Sequence, residues 1–326
     1  MPEIRLTVSF SPHLRHKVSV EYLMYSVVIA LIPALIGSVY FFGIRALIII
    51  ILSVISSLFF EAVGQKLFGR RVSITDGSAL ITGLLLAFNL PPGVPYFIPV
   101  IGSAFAVIIA KQFFGGLGYN FINPALAARA FLVVSWPHLM TKSFLPPRFG
   151  TLSGIQALTQ ATPLTILKDT RVLEPEKYPK IVSLLSSSGV IKNLFFGQVG
   201  GCLGETSAFL LLVGGIFLLL TRVIDWRIPL SYLGTVLLIS LFTPLSPLFH
   251  LFSGGLMLGA FFMATDYVTI PITSKGRVIF GIGCGILTML IRLFGGYPEG
   301  VCYSILFMNI LTPLIERWTH PRIYGH

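Results

Sequence analysis

The run Ser78-Ala-Leu-Ile-Thr-Gly-Leu-Leu-Leu-Ala-Phe-Asn-Leu90 is apolar, helical in composition, and stopped by Pro91-Pro92. At 1.5 Å per residue its thirteen residues reach only about 20 Å, short of a hydrocarbon core of about 30 Å. Pro124–Trp136, stopped by Pro137, is equally short. Both are read as interrupted membrane helices, whose unpaired backbone ends must be buried in protein or line a cavity. Around them lie apolar runs of spanning length near 22–42, 44–64, 98–114, 205–221, 228–243, 248–264, 278–294 and 299–315. The sum is ten membrane elements.

Composition agrees. Of 326 residues, 55% are hydrophobic and 11% charged, against about 25% charged in a soluble domain. The mean hydropathy is +0.88. These values exclude a disordered chain or a nucleic-acid binder, so the net charge of +11 belongs to loops facing anionic lipid. Cys202, Cys284 and Cys302 lie far apart, and the six histidines show no ligand spacing; no metal site is expected. Arg5, Arg15 and Lys17 precede a first apolar run too long for a signal peptide.

Lysine and arginine set a direction. With the N-terminus in the cytoplasm, Lys66, Arg70, Arg71, Lys111, Arg222, Arg227, Lys275, Arg277, Arg317 and Arg322 fall inside, whereas short external loops hold only Arg45 and Arg292. The chain then divides into a cytoplasmic segment 1–20, a five-helix unit 21–136, an external loop 137–203, a second five-helix unit 204–316 and a cytoplasmic tail 317–326.

The two units resemble each other. Gly83-Leu-Leu-Leu-Ala-Phe-Asn89 before Pro95 parallels Gly259-Ala-Phe-Phe-Met-Ala-Thr265 before Pro271, and Phe114-Gly-Gly116 parallels Phe294-Gly-Gly296. On that offset Arg129 aligns with Asn309. Five spans per unit would turn the second copy upside down. The fold class expected is an all-α polytopic membrane protein of two inverted five-helix repeats, with any site at the repeat interface near broken helix ends. Those breaks fall at Asn89-Leu-Pro-Pro and at Thr265-Asp266-Tyr267.

Ionisable groups inside spans mark function by default. Arg129 lies too deep to reach water and calls for a carboxylate, a carbonyl or a phosphate. Glu61 is one turn before Lys66 and can reach the cytoplasmic interface; Glu205 opens the sixth span as a first-turn carboxylate; Asp76 is placed as N-cap of the third helix. In the external loop, Thr159-Gln160-Ala161-Thr162-Pro163 reads as a helix start, with Thr162 as N-cap and Pro163 in the first turn. That places the Thr162 hydroxyl, exposed, at a positive helix end suited to phosphate.

Two motifs carry a resemblance. Asp76-Gly-Ser-Ala-Leu-Ile-Thr-Gly-Leu-Leu-Leu-Ala-Phe-Asn-Leu-Pro-Pro92 and Gly115-Gly-Leu-Gly-Tyr-Asn-Phe-Ile-Asn-Pro-Ala125 resemble the NqrB/RnfD family. Its RnfD members belong to the Rnf ion-translocating oxidoreductase complex, a ferredoxin:NAD oxidoreductase. Its NqrB members belong to the homologous Na+-translocating NADH:quinone reductase. The resemblance, which is to RnfD, implies FMN joined through its phosphate to Thr162 by a flavin transferase. The acceptor motif is Thr159-Gln160-Ala161-Thr162, which departs from the family at Gln160, and at Ala157 before it. It also implies a second, noncovalent riboflavin, for which Asn89 and Asp266 are contacts, and partners among the other Rnf subunits. The chain would pass electrons through a prokaryotic inner membrane, coupled to Na+ or H+ movement, with both termini cytoplasmic and the flavin loop outside. A quinone-reductase subunit and a non-redox solute transporter of the same architecture are the alternatives.

Overall fold

The structure, a computed structural model, describes residues 19–147, 162–296 and 300–320. Most of these residues are helical, and no strand occurs among them. Thr159, Gln160 and Ala161 fall outside the described residues. In chain order the helices are α1 (Val20–Phe42), α2 (Ile44–Leu67), α3 (Ser78–Phe88), α4 (Phe97–Ala104, continuing as a π-helix over Phe105–Gln112) and α5 (Pro124–Ser135). Then come α6 (Pro137–Lys142), α7 (Pro163–Leu173), α8 (Tyr178–Leu185), α9 (Ser188–Phe196), α10 (Ala208–Leu220) and α11 (Arg227–Ser240). Last are α12 (Pro247–Phe252), α13 (Leu256–Leu258, continuing as a π-helix over Gly259–Met263), α14 (Ser274–Phe294) and α15 (Val301–Thr319).

By length and composition α1, α2 and α14 can each cross a membrane, and α3, α4, α5, α10 and α11 are shorter apolar helices. The chain is a multi-pass membrane protein. The turn from α1 into α2 is a single residue, Gly43, at φ +75°, where a side chain would be strained. Asn123 starts α5: its Oδ1 accepts from the amides of Ala125 and Leu126 at 3.0 and 3.3 Å, with Pro124 in the first turn. These local signals are strong because a cap needs only its own next three residues.

One apolar cluster runs through both halves, including Leu31, Ile49, Leu86, Phe88, Leu126, Tyr232, Phe280 and Ile305, all buried. A smaller one, around Leu164, Leu185, Val190 and Leu194, seats α7–α9 on Leu245 and Phe249. The segment read as an external loop therefore carries, after α6, three helices that dock on the bundle.

The eighth run, 248–264, is not one helix. It breaks at Ser253-Gly254-Gly255, with Gly254 at φ +63°. Arg292 supplies the donors that the break requires: its Nη1 and Nη2 donate to the carbonyls of His250 and Ser253 at 2.6 and 2.9 Å. In the fourth run, the π segment shifts the helix register over its last two turns. Lys111, placed by its position in a cytoplasmic loop, instead ends that helix and is 2% exposed.

Candidate functional site

Arg129 stands on the buried face of α5. Its Nη1 donates to Glu205 Oε1 at 2.8 Å and to Asn89 Oδ1 at 2.5 Å, and Nη2 lies 3.9 Å from Cys202 Sγ. All four residues are buried. Asn89 is the C-cap of α3, and its side-chain Nδ2 donates to Leu85 O at 2.6 Å. The interrupted third helix thus ends on the guanidinium. Glu205 is not a first-turn carboxylate: α10 begins at Ala208, capped by Ser207, and Glu205 lies before it in the connecting segment. That segment is pinned to α3, since the amides of Leu203 and Gly204 donate to the carbonyls of Leu90 and Phe88 at 3.0 and 2.9 Å. These bonds use carbonyls freed by the early end of α3.

Thr162 is the N-cap of α7. Its Oγ1 accepts from the Thr165 amide at 3.2 Å and shares a hydrogen bond with Thr165 Oγ1 at 2.8 Å, and Pro163 fills the first turn. The expected exposure is not seen: Thr162 is 6% exposed. It faces two small cavities. One, of ≈ 60 Å³, it shares with Arg129, Thr165, Cys302 and Tyr303. The other it shares with Glu205, Thr206 and Gly254. The loop hydroxyl and the intrahelical arginine, 33 positions apart in sequence, therefore border one space.

Asp266 lies in a different place. It follows the π turn that closes α13, and its carboxylate accepts from Val268 N at 3.5 Å and Thr269 Oγ1 at 3.4 Å. It lines a cavity of ≈ 90 Å³ with Ser78, Thr82, Lys111, Asn120 and Asn123. Asn89 does not line that cavity. The broken ends do meet nearby, because Asn89 Nδ2 is 3.7 Å from Met263 Sδ and Asn123 Nδ2 donates to Met263 O at 3.2 Å.

The sequence missed a second buried charge centre. Glu61 is fully buried and does not reach an aqueous interface. Its Oε1 accepts from Lys111 Nζ at 3.0 Å, Gln65 Nε2 at 3.0 Å and Gln112 Nε2 at 2.8 Å, and Lys111 also donates to Ser78 Oγ at 2.7 Å. Gln65 follows Glu61 by one turn, a readable sign; Lys111 and Gln112 arrive from about fifty residues away on the π segment of α4. Asp76 is displaced by one position from its expected role: Gly77 is the N-cap of α3, while Asp76 Oδ1 accepts from the Ser78 amide at 3.0 Å. Among the described residues, no group of three or more His, Cys, Asp or Glu side chains could hold a metal ion.

An apolar helical bundle that buries two ion pairs, Arg129–Glu205 and Lys111–Glu61, defines a multi-pass membrane protein with charged groups in its interior. The chain belongs to the NQR2, RnfD, RnfE family, whose pattern it matches over residues 7–325. It is 51% identical over 325 residues to the D subunit of the Na+-translocating ferredoxin:NAD+ oxidoreductase complex of Acetobacterium woodii, covering 100% of this chain and 97% of that one. It is 47% identical to the D subunit of the proton-translocating ferredoxin:NAD+ oxidoreductase complex of Clostridium ljungdahlii, with 98% and 96% of the two chains aligned. It is 39% identical to the D subunit of the ion-translocating oxidoreductase complex of Escherichia coli O17:K52:H18, with 98% of each aligned.

Proposed function

We propose that this chain is the membrane subunit of an ion-translocating ferredoxin:NAD+ oxidoreductase complex, that it carries FMN on Thr162, and that it works with the other subunits of that complex. Family membership and full-length similarity to the D subunits of such complexes support the first part. The observation that carries the second is the cavity shared by Thr162 and Arg129.

The residues fit a phosphoester. Thr162 Oγ1 is the acceptor oxygen, the start of α7 presents backbone amides and the positive end of a helix, and Arg129 supplies a fixed cation on the same space. FMN bound there supplies one- and two-electron transfer, chemistry that no side chain of the chain provides. The chain's own part is to hold the phosphate, to exclude water behind Pro163 and Leu164, both buried, and to keep Arg129 oriented through Glu205 and Asn89. Maturation requires a flavin transferase acting on the Thr159–Thr162 motif. The cavity between Asp266, Asn120 and Asn123 offers hydrogen-bonding groups and apolar walls for a second, noncovalent riboflavin.

The architecture proposed is ten membrane elements, α1–α5 and α10–α15 with α12 and α13 as one element, arranged as two inverted repeats. In support, α2 packs on α4 as α11 packs on α14, and α4 packs on α5 as α14 packs on α15. With the N-terminus cytoplasmic, Thr162 and α7–α9 lie outside. The test is to express the full chain with its flavin transferase and examine it by ultraviolet fluorescence after denaturing electrophoresis. Wild type and Thr162→Ser give a fluorescent band and Thr162→Ala gives none. A dark wild-type band, or a fluorescent Ala variant, overturns the assignment of the flavin to Thr162.

A further inference from the structure

The Thr162 hydroxyl sits where another protein's active site cannot reach it. Thr162 is 6% exposed, and Pro163 and Leu164 after it are buried. Its Oγ1 accepts from the Thr165 amide at 3.2 Å and is hydrogen-bonded to Thr165 Oγ1 at 2.8 Å. The two spaces it borders measure ≈ 60 and ≈ 20 Å³, which suits a few water molecules and not a flavin nucleotide. Esterification needs more room. Oγ1 must bond to the phosphorus of a flavin dinucleotide, the donor's phosphoanhydride bond must break to release a nucleoside monophosphate, and the hydroxyl proton must pass to a base on the transferase. An oxygen held as a helix cap in a closed seam is not placed for that reaction.

The seam has a small seat. Leu164 joins Leu185, Val190 and Leu194 of α8 and α9, and Leu245 and Phe249 on the bundle side, in a cluster separate from the large core. Arg171 Nη1 adds a bond to Leu293 O at 2.9 Å, and the Ser246 amide donates to Ser186 Oγ at 3.3 Å. Segments with few buried apolar contacts open locally at a lower free energy than the whole fold. Resting on the assignment of the flavin to Thr162, we propose that the flavin is attached while the first turn of α7 stands off the bundle, and that docking of α7 then closes the site. The transferase takes the undocked segment as its substrate. In the folded chain its rate scales with the fraction of time that α7 spends undocked. Docking afterwards places the ester oxygen behind Pro163 and Leu164, away from water.

The experiment starts from the purified full chain in detergent with Thr162 unmodified. Flavin transferase and flavin dinucleotide are added, and the fluorescent band after denaturing electrophoresis is followed in time. Leu185→Ala and Leu245→Ala truncate the seat from its two sides and border neither space around Thr162; thermal melting verifies their folds. Gly214→Ala instead loosens α10 against α1, where an added Cβ would strike the Ala30 carbonyl. Hydrogen exchange of the α7 amides reports undocking, because a helix of 11 residues does not persist alone. Wild type is expected to label slowly, the two leucine variants about tenfold faster or more, with α7 exchange faster by a similar factor, and Gly214→Ala at the wild-type rate. Equal rates in wild type and both leucine variants, or equal acceleration by Gly214→Ala, overturn the proposal and leave the flavin on Thr162. A wild-type chain that stays dark even when made together with the transferase overturns the flavin assignment itself, and this proposal with it.

Discussion

Arg129 and Glu205 meet at 2.8 Å, both buried, and so join the middle of α5 to the segment that leads into α10. The pair links the two halves of the chain at the point where α3 stops, and Asn89 also accepts from the arginine. Removing one member leaves a charge stranded in a low-dielectric interior, which costs about 3–5 kcal/mol, whereas removing both leaves none. Arg129→Met and Glu205→Gln are each expected to lower the unfolding midpoint in detergent, followed by tryptophan fluorescence. The Arg129→Met/Glu205→Gln double variant is expected to lose less than the sum of the two. Strict additivity would mean that the two charges do not stabilise each other.

Asp225, in the turn between α10 and α11, tests electrostatics outside the bundle. Arg277 Nη1 and Arg227 Nη1 donate to its Oδ2 at 2.5 and 2.9 Å, and Arg277 belongs to α14, so the carboxylate ties two helices. Partial burial pushes its pKa up, but the Arg227 amide and the two guanidinium groups outweigh burial and hold the carboxyl below its usual value of 3.8. A depressed folded-state pKa contributes stability above the unfolded value, and that contribution is lost as pH falls through the folded pKa. Wild type is therefore expected to lose midpoint on acidification below about pH 4, more steeply than Asp225→Asn. Parallel acid profiles for the two proteins would contradict the assignment.

Capping at α7 separates the structural role of Thr162 from the flavin attachment proposed for it. Its Oγ1 satisfies the Thr165 amide, so Thr162→Ala costs about 1 kcal/mol locally and Thr162→Ser costs little. Hydrogen exchange of the Thr165 and Ile166 amides is expected to speed up in the alanine variant only, with the remainder of the bundle unchanged. A global rise in exchange would mean that α7 supports the whole fold.

What the sequence discloses and what it withholds divide by distance along the chain. Thr162-Pro163 and Asn123-Pro124 are legible as helix starts, because a cap and its amides are at most three residues apart. The short reach of α3 is legible from Pro91-Pro92. Glu61 misleads because its place near Lys66 at the end of α2 suggests an interface, while Lys111, its partner in space, is brought round by a π segment that no local pattern announces. Glu205 misleads for the same reason: it looks like the start of a helix, but Arg129, 76 positions earlier, holds it outside one. The break at Ser253 lies hidden in an apolar run, since only the arrival of Arg292 makes its free carbonyls tolerable. The shared cavity of Thr162 and Arg129 requires the docking of α7 on the bundle, which depends on the small apolar cluster around Leu164 and Leu194.

Close packing of α1 against α10 gives the sharpest steric prediction. At Gly214, on the buried face of α10, an added Cβ would fall 2.0 Å from the Ala30 carbonyl oxygen, a backbone atom that cannot turn aside. Small residues allow such approach between membrane helices, where dispersion and weak hydrogen bonds replace the hydrophobic effect as the driving force. At Gly234, on α11, an added Cβ would meet nothing within 4 Å, and alanine there gains helix propensity of up to about 1 kcal/mol. Gly214→Ala is therefore expected to destabilise by about 1–3 kcal/mol, as overpacking does, and Gly234→Ala to be neutral or stabilising in the same thermal assay. If Gly214→Ala melts with wild type, α1 and α10 are not in the close contact that joins the first half of the bundle to the second.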